Sequence, residues 1–163
     1  MKDNNFNDLP QWDDDLEDRD DEGEGWKPNP TKEACKASYQ QWSVIMTMLN
    51  GGMDVDKLEK ETEENWTSSY QGMMLGDAMQ VAVKIRSSEA GGIYVIRMEN
   101  ASIIRKNAQA IQSSMLMFMA ENVIEKEYGE IIRHEIEVFK ELFRKWVSTF
   151  EKDEFTDEWG LFV

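Results

Sequence analysis

Tyr128, Ile132, Phe139, Leu142, Trp146 and Phe150 recur at steps of three, four or seven residues near the end of the chain. That spacing lines side chains along one face of an α-helix. Charged residues such as Glu130, Arg133, Glu137 and Lys140 lie between them. A helix that is apolar along one side is stable only when that side lies against other elements. The rest of the chain therefore has to supply packing partners.

Three further segments carry the same period. Helix A starts near Thr31, directly after Pro30, and repeats Cys35, Trp42, Ile45 and Leu49 on one face. Asn50-Gly51-Gly52 ends it, with glycine free to take the left-handed C′ conformation. Helix B opens at Asp54 or Asp56, since Asp56 and Glu59 have capping-box spacing, and it runs through Leu58, Trp66, Tyr70, Met73, Ala78, Val81 and Ile85. Gly72 and Gly76, four residues apart, offer a neighbouring helix a close approach. Ser87 to Gly92 is a second break. Helix C follows with Ile93, Ile96, Ile104, Ile111, Met115 and Phe118, and a weaker break at Glu127-Tyr128-Gly129 leads into helix D, which fades near Lys152. Val81, Val83 and Ile85, with Ile93 and Val95, also alternate as a β-hairpin would around Gly91-Gly92. Helix is the preferred reading, because the pattern continues as helix on both sides.

These spans predict an all-α fold, an up-down-up-down four-helix bundle over residues 31–152. Helices A and D come to about twenty residues each, and B and C to about thirty-four, at roughly 1.5 Å of rise per residue. With B and C the longer pair, their hairpin should project as a two-helix arm. Met73, Met74, Met79, Val81, Val83 and Ile96 would then be poorly covered, and the expectation is a homodimer through the B–C hairpin.

Composition separates the two ends from the middle. The formal charge is −15, and the stretch up to Trp26 carries much of it. Residues 1–30 are too acidic and too poor in apolar surface to offset the entropy of ordering, so they read as a disordered acidic arm punctuated by Phe6, Leu9, Trp12, Leu16 and Trp26. Such a balance repels phosphate backbones and anionic bilayers, making nucleic acid an unfavourable partner. No apolar run approaches the ~20 residues that span a bilayer, and no secretory signal is expected. With Cys35 as the single cysteine, no intramolecular disulfide is possible, and a cytoplasmic setting is expected.

Catalytic motifs are scarce. The Gly-Gly pairs lack the lysine, hydroxyl and strand context of a phosphate loop, and nothing around His134, the single histidine, resembles a nucleophile elbow. Glu130 lies one turn before His134 and could share a metal with it, but a di-iron bundle would need a second histidine motif. No cofactor is assigned. Glu135 falls inside the apolar stripe of helix D and calls for a cation or several donors. Arg97 and Arg105 are its candidate partners, with Asn100 and Asn107 of helix C completing a polar network or a small-ligand pocket. The bland alternative is a snorkelling carboxylate with asparagines that fix helix register.

Lys84, Arg86, Arg97, Arg105 and Lys106 cluster around the B–C turn, which makes that tip mildly basic and a candidate rest for the acidic arm. At the other end, residues 153–163 combine four acids with Phe155, Trp159, Leu161 and Phe162. Either this tail completes the bundle, or it docks in a partner's basic or apolar groove. In general character it resembles the acidic peptide tips by which bacterial single-strand-binding proteins recruit partners, although its sequence does not match them closely. The expectation is a non-enzymatic interaction protein whose partner-binding residues are Trp12, Trp26, Phe155, Trp159, Leu161 and Phe162. The alternatives are a bundle that binds a small ligand or metal, and an acidic decoy of nucleic acid.

Overall fold

The computed structural model describes residues 29–52, 66–89 and 92–163, and for residues 66–68 the backbone alone. Within them run four helices: α1 (Pro30–Gly52), α2 (Trp66–Glu89), α3 (Tyr94–Ala120) and α4 (Lys126–Val147). Packing joins α1 to α2, α2 to α3, α3 to α4 and α4 back to α1, a four-helix bundle. No strand occurs among the described residues, so the segments flanking Gly92 are helical rather than a hairpin.

The apolar stripes meet in one core. Trp42, Ile45, Leu49, Val81, Ile85, Ile104, Ile111, Met115, Ile132 and Trp146 are all fully buried. Trp42 lies at the centre: its ring is 4.7 Å from that of Phe139, and its indole N–H donates to the Ala78 carbonyl at 2.9 Å. The Ala78 carbonyl already belongs to helix α2, so this bond satisfies a buried indole without a further polar group.

Several boundaries differ from the sequence expectation. Helix α1 is capped by Asn29, not Thr31. The Asn29 Oδ1 accepts from the Lys32 N–H at 3.1 Å, and Pro30 occupies the first helical position, where its missing donor is harmless. Thr31 instead donates its hydroxyl to the Thr149 carbonyl. At the far end Asn50-Gly51-Gly52 stays helical. Gly52 is there for space: a β-carbon would overlap the Tyr128 ring, whose hydroxyl donates to the Met48 carbonyl at 2.8 Å. The expected start of helix B at Asp54 or Asp56, with Leu58 and Glu59, lies outside the described residues, as does Gly91.

The break between α3 and α4 falls at 121–125, ahead of the expected Glu127-Tyr128-Gly129. Asn122 takes a left-handed φ of 56°, its N–H donates to Met119 O, and the Val123 N–H donates to Phe118 O at 2.9 Å. This is a Schellman ending with asparagine in the place glycine usually takes. Gly129 is buried inside α4, where a β-carbon would come within 2.6 Å of Met119 Cγ and Sδ. It marks a close helix approach and not a chain break.

The expected projecting arm is also corrected. Within the described residues α2 runs for 24 residues and α3 for 27, against 23 and 22 in α1 and α4. The end of α2 and the start of α3 are covered by the start of α1 and the end of α4. Cys35 donates to Ile85 O, Trp146 donates its indole N–H to Glu89 Oε1 at 3.2 Å, and Arg97 lies over the Phe150 ring. Met74 and Val81 are buried and Met79 is packed against the core, while Met73, Val83 and Ile96 remain exposed. Tyr70, placed on the apolar stripe from its spacing, is half exposed.

Candidate functional site

Beyond Val147 the chain tightens through Ser148, Thr149 and Phe150, whose N–H groups donate to Arg144, Trp146 and Val147 carbonyls. Phe150 lies beyond the helix and packs edge-on to Trp146, with ring centroids 5.3 Å apart. The segment then turns back across the start of α3. Ile93 precedes that helix without a side chain able to cap it. Asp153 supplies the cap from sixty residues downstream: Oδ2 accepts from the Tyr94 N–H at 2.8 Å and Oδ1 from the Phe155 N–H at 3.0 Å. A carboxylate at a helix N-terminus meets both an orphan donor and the positive end of the helix dipole.

Asp157 fixes the next turn. Its Oδ2 accepts from the Trp159 and Leu161 N–H groups at 3.1 and 3.0 Å, and its carbonyl accepts from Gly160, whose φ of 73° suits glycine. Two of the tail's acids thus organise its backbone. Phe162 turns inward, and a hollow of about 160 Å³ remains beneath the segment, lined by Tyr94, Val95, Phe155, Leu161 and Phe162. Trp159 is left 89% exposed and Val163 84%, with Phe155 and Leu161 more than half exposed. The tail therefore joins the bundle through its polar groups and presents much of its apolar surface outward. Trp12 and Trp26, the other expected partner-binding residues, lie outside the described residues.

The polar residues expected to meet around Glu135 do not converge. Glu135 faces α1, where the Gln41 amide donates to its Oε2 at 2.6 Å and to its backbone carbonyl at 3.2 Å. Arg97 is engaged elsewhere, with Glu89 at 3.3 Å and with the Ser88 carbonyl. Asn107 is buried and donates to Gln80 Oε1 at 2.6 Å, while Asn100 is buried on the same helix. Arg105 is exposed at the rim of a groove of about 230 Å³ between α3 and α4, whose floor is Ala108, Ile136, Phe139 and Phe143. Periodicity placed Glu135 near the core but could not tell which neighbouring helix it would face.

Glu130 and His134 are both exposed. Among the described residues, no three His, Cys, Asp or Glu side chains are grouped to hold a metal. The basic cluster at the α2–α3 turn is partly absorbed by the fold, with Arg97 paired to Glu89 and Arg86 lying over the Tyr39 ring. Sequence reasoning missed Asp153 as a cap. An aspartate following a helix end carries no local sign of which distant N-terminus it will reach.

No protein family matches this chain, and neither a curated protein nor a solved structure matches it. No helix among the described residues is long and apolar enough to cross a membrane.

Proposed function

We propose that this is a non-enzymatic interaction protein whose C-terminal segment, residues 153–163, docks into a groove of a partner. The carrying observation is Trp159, 89% exposed on a backbone held in place by Asp153 and Asp157. An apolar side chain on an ordered backbone loses less freedom on binding than one on a loose tail, which raises affinity for a given contact. Phe155 and Leu161, both more than half exposed, supply further apolar contact, and the surrounding acids favour a partner groove with a basic rim. Cys35, a single buried thiol, fits a cytoplasmic setting. A second copy of the chain is among the proposed contacts.

The polar groups between the helices support this reading over a ligand-binding core, since Gln41 with Glu135 and Asn107 with Gln80 already form pairs. The test is quantitative affinity capture with the full chain as bait, in parallel with Trp159→Ala and Leu161→Ala. A set of proteins enriched by the native chain and depleted at least tenfold by either substitution is expected. Equal recovery by all three baits would refute the tail as the docking element.

A further inference from the structure

We infer that two copies of this chain pair through the outward face of α2, with the two helices antiparallel and crossing near Gln80. This deepens the self-association proposed above by naming its surface. Gly72, Met73, Gly76, Gln80, Val83 and Ser87 are all exposed, and at about 100° per residue they share an arc roughly 100° wide. None of them is charged. In a chain of formal charge −15 such a face is where two copies can approach without repulsion.

The balance holds for the helix as a whole. Over its 24 residues α2 carries two acids, Asp77 and Glu89, and two bases, Lys84 and Arg86. Met73 and Val83 are 65% and 56% exposed, so the face is apolar as well as uncharged. Gly72 and Gly76 have no packing reason among the described residues: a β-carbon built at either meets nothing within 4 Å. The close approach that their spacing suggested is thus not made by any helix among the described residues.

The flanking charges select a second copy over other occupants and set its direction. Asp77 and Lys84 border the face on the same side, seven residues apart and symmetric about the interval next to Gln80. In a two-fold arrangement of antiparallel helices the same edge of each copy is brought together. Asp77 of each copy then stands opposite the other copy's Lys84. The same register sets the Val83 side chain between the other copy's Gly76 and Gln80, where the glycine has no side chain to obstruct it. A parallel two-fold pairing would instead carry the two Asp77 side chains to opposite edges of the seam, leaving neither facing a Lys84.

The test is sedimentation equilibrium of the full chain over a range of concentrations. The expected species has twice the 19.0 kDa protomer mass. Val83→Glu should weaken self-association by at least tenfold. Asp77→Lys and Lys84→Asp should each weaken it, and the double exchange should restore it, because opposition of unlike charges is recovered only in the antiparallel register. A monomer at all concentrations would overturn self-association altogether. A dimer indifferent to Val83→Glu, or one that the double exchange fails to restore, would overturn this face while leaving self-association standing. Circular dichroism of each variant separates lost pairing from lost folding, and Gly76→Ala, which strengthens the helix yet fills the approach, should weaken pairing without loss of helix.

Discussion

Asp153 caps helix α3 by accepting the Tyr94 N–H at 2.8 Å, so the last residues of the chain are tied to the start of a helix formed sixty residues earlier. This contact makes the tail part of the fold and sets the position from which Trp159 projects.

Removing that carboxylate should loosen both partners. Asp153→Ala is expected to lower stability by about 1 kcal/mol, the usual cost of losing an N-cap. Urea unfolding would measure the loss, and hydrogen exchange should show the Tyr94 amide opening faster. An unchanged Tyr94 amide would contradict the cap.

Trp146 joins the end of α4 to the end of α2. It is fully buried and donates to Glu89, whose other oxygen is held by Arg97. Trp146→Ala should cost about 3–5 kcal/mol through the cavity and lost burial. Trp146→Phe keeps the ring and loses one hydrogen bond, so it should cost much less, about 1–2 kcal/mol. Similar losses for the two variants in denaturant titrations would argue against the indole–carboxylate contact.

Glycines in this bundle should divide by sign. Gly129→Ala forces a β-carbon to within 2.6 Å of Met119 and should cost about 1–3 kcal/mol, relieved when Met119 is shortened to alanine as well. Gly72→Ala meets nothing and should raise protomer stability by up to about 1 kcal/mol through helix propensity alone. Thermal unfolding at a concentration where the protein is monomeric compares them. Effects of the same sign would contradict the assigned roles.

Glu137 supplies a prediction in pH. The Lys140 ammonium, by hydrogen bonding, holds its carboxyl below the ordinary glutamate value, and the Gln112 amide lowers it further. Because the folded value is the lower one, any stabilisation is complete above the unfolded value and is lost as pH falls through the folded value. An NMR titration of the Glu137 side chain should therefore show a depressed midpoint that moves upward in Lys140→Ala. No movement would assign the depression to another cause.

Much of the bundle was legible because burial follows helical period. Trp42, Ile45, Ile104, Ile111, Ile132 and Trp146 all lie where their spacing placed them. What was not legible depended on contacts between elements. Gly129 looked like a breaker but is a contact point for Met119, while the true break uses Asn122 in a left-handed turn. Glu135 has Gln41 beside it instead of an arginine, because α4 borders both α1 and α3 and periodicity does not choose between them. Of the tail, the exposed aromatics could be named in advance; the aspartates that hold their backbone could not.

Backbone 15N heteronuclear NOE values along residues 148–163 of the full chain test most directly whether an ordered tail displays Trp159. The values through Asp153–Leu161 should approach those of the helices and fall in Asp153→Ala. Near-zero or negative values from residue 153 onward in the native chain would contradict an ordered, tryptophan-displaying tail.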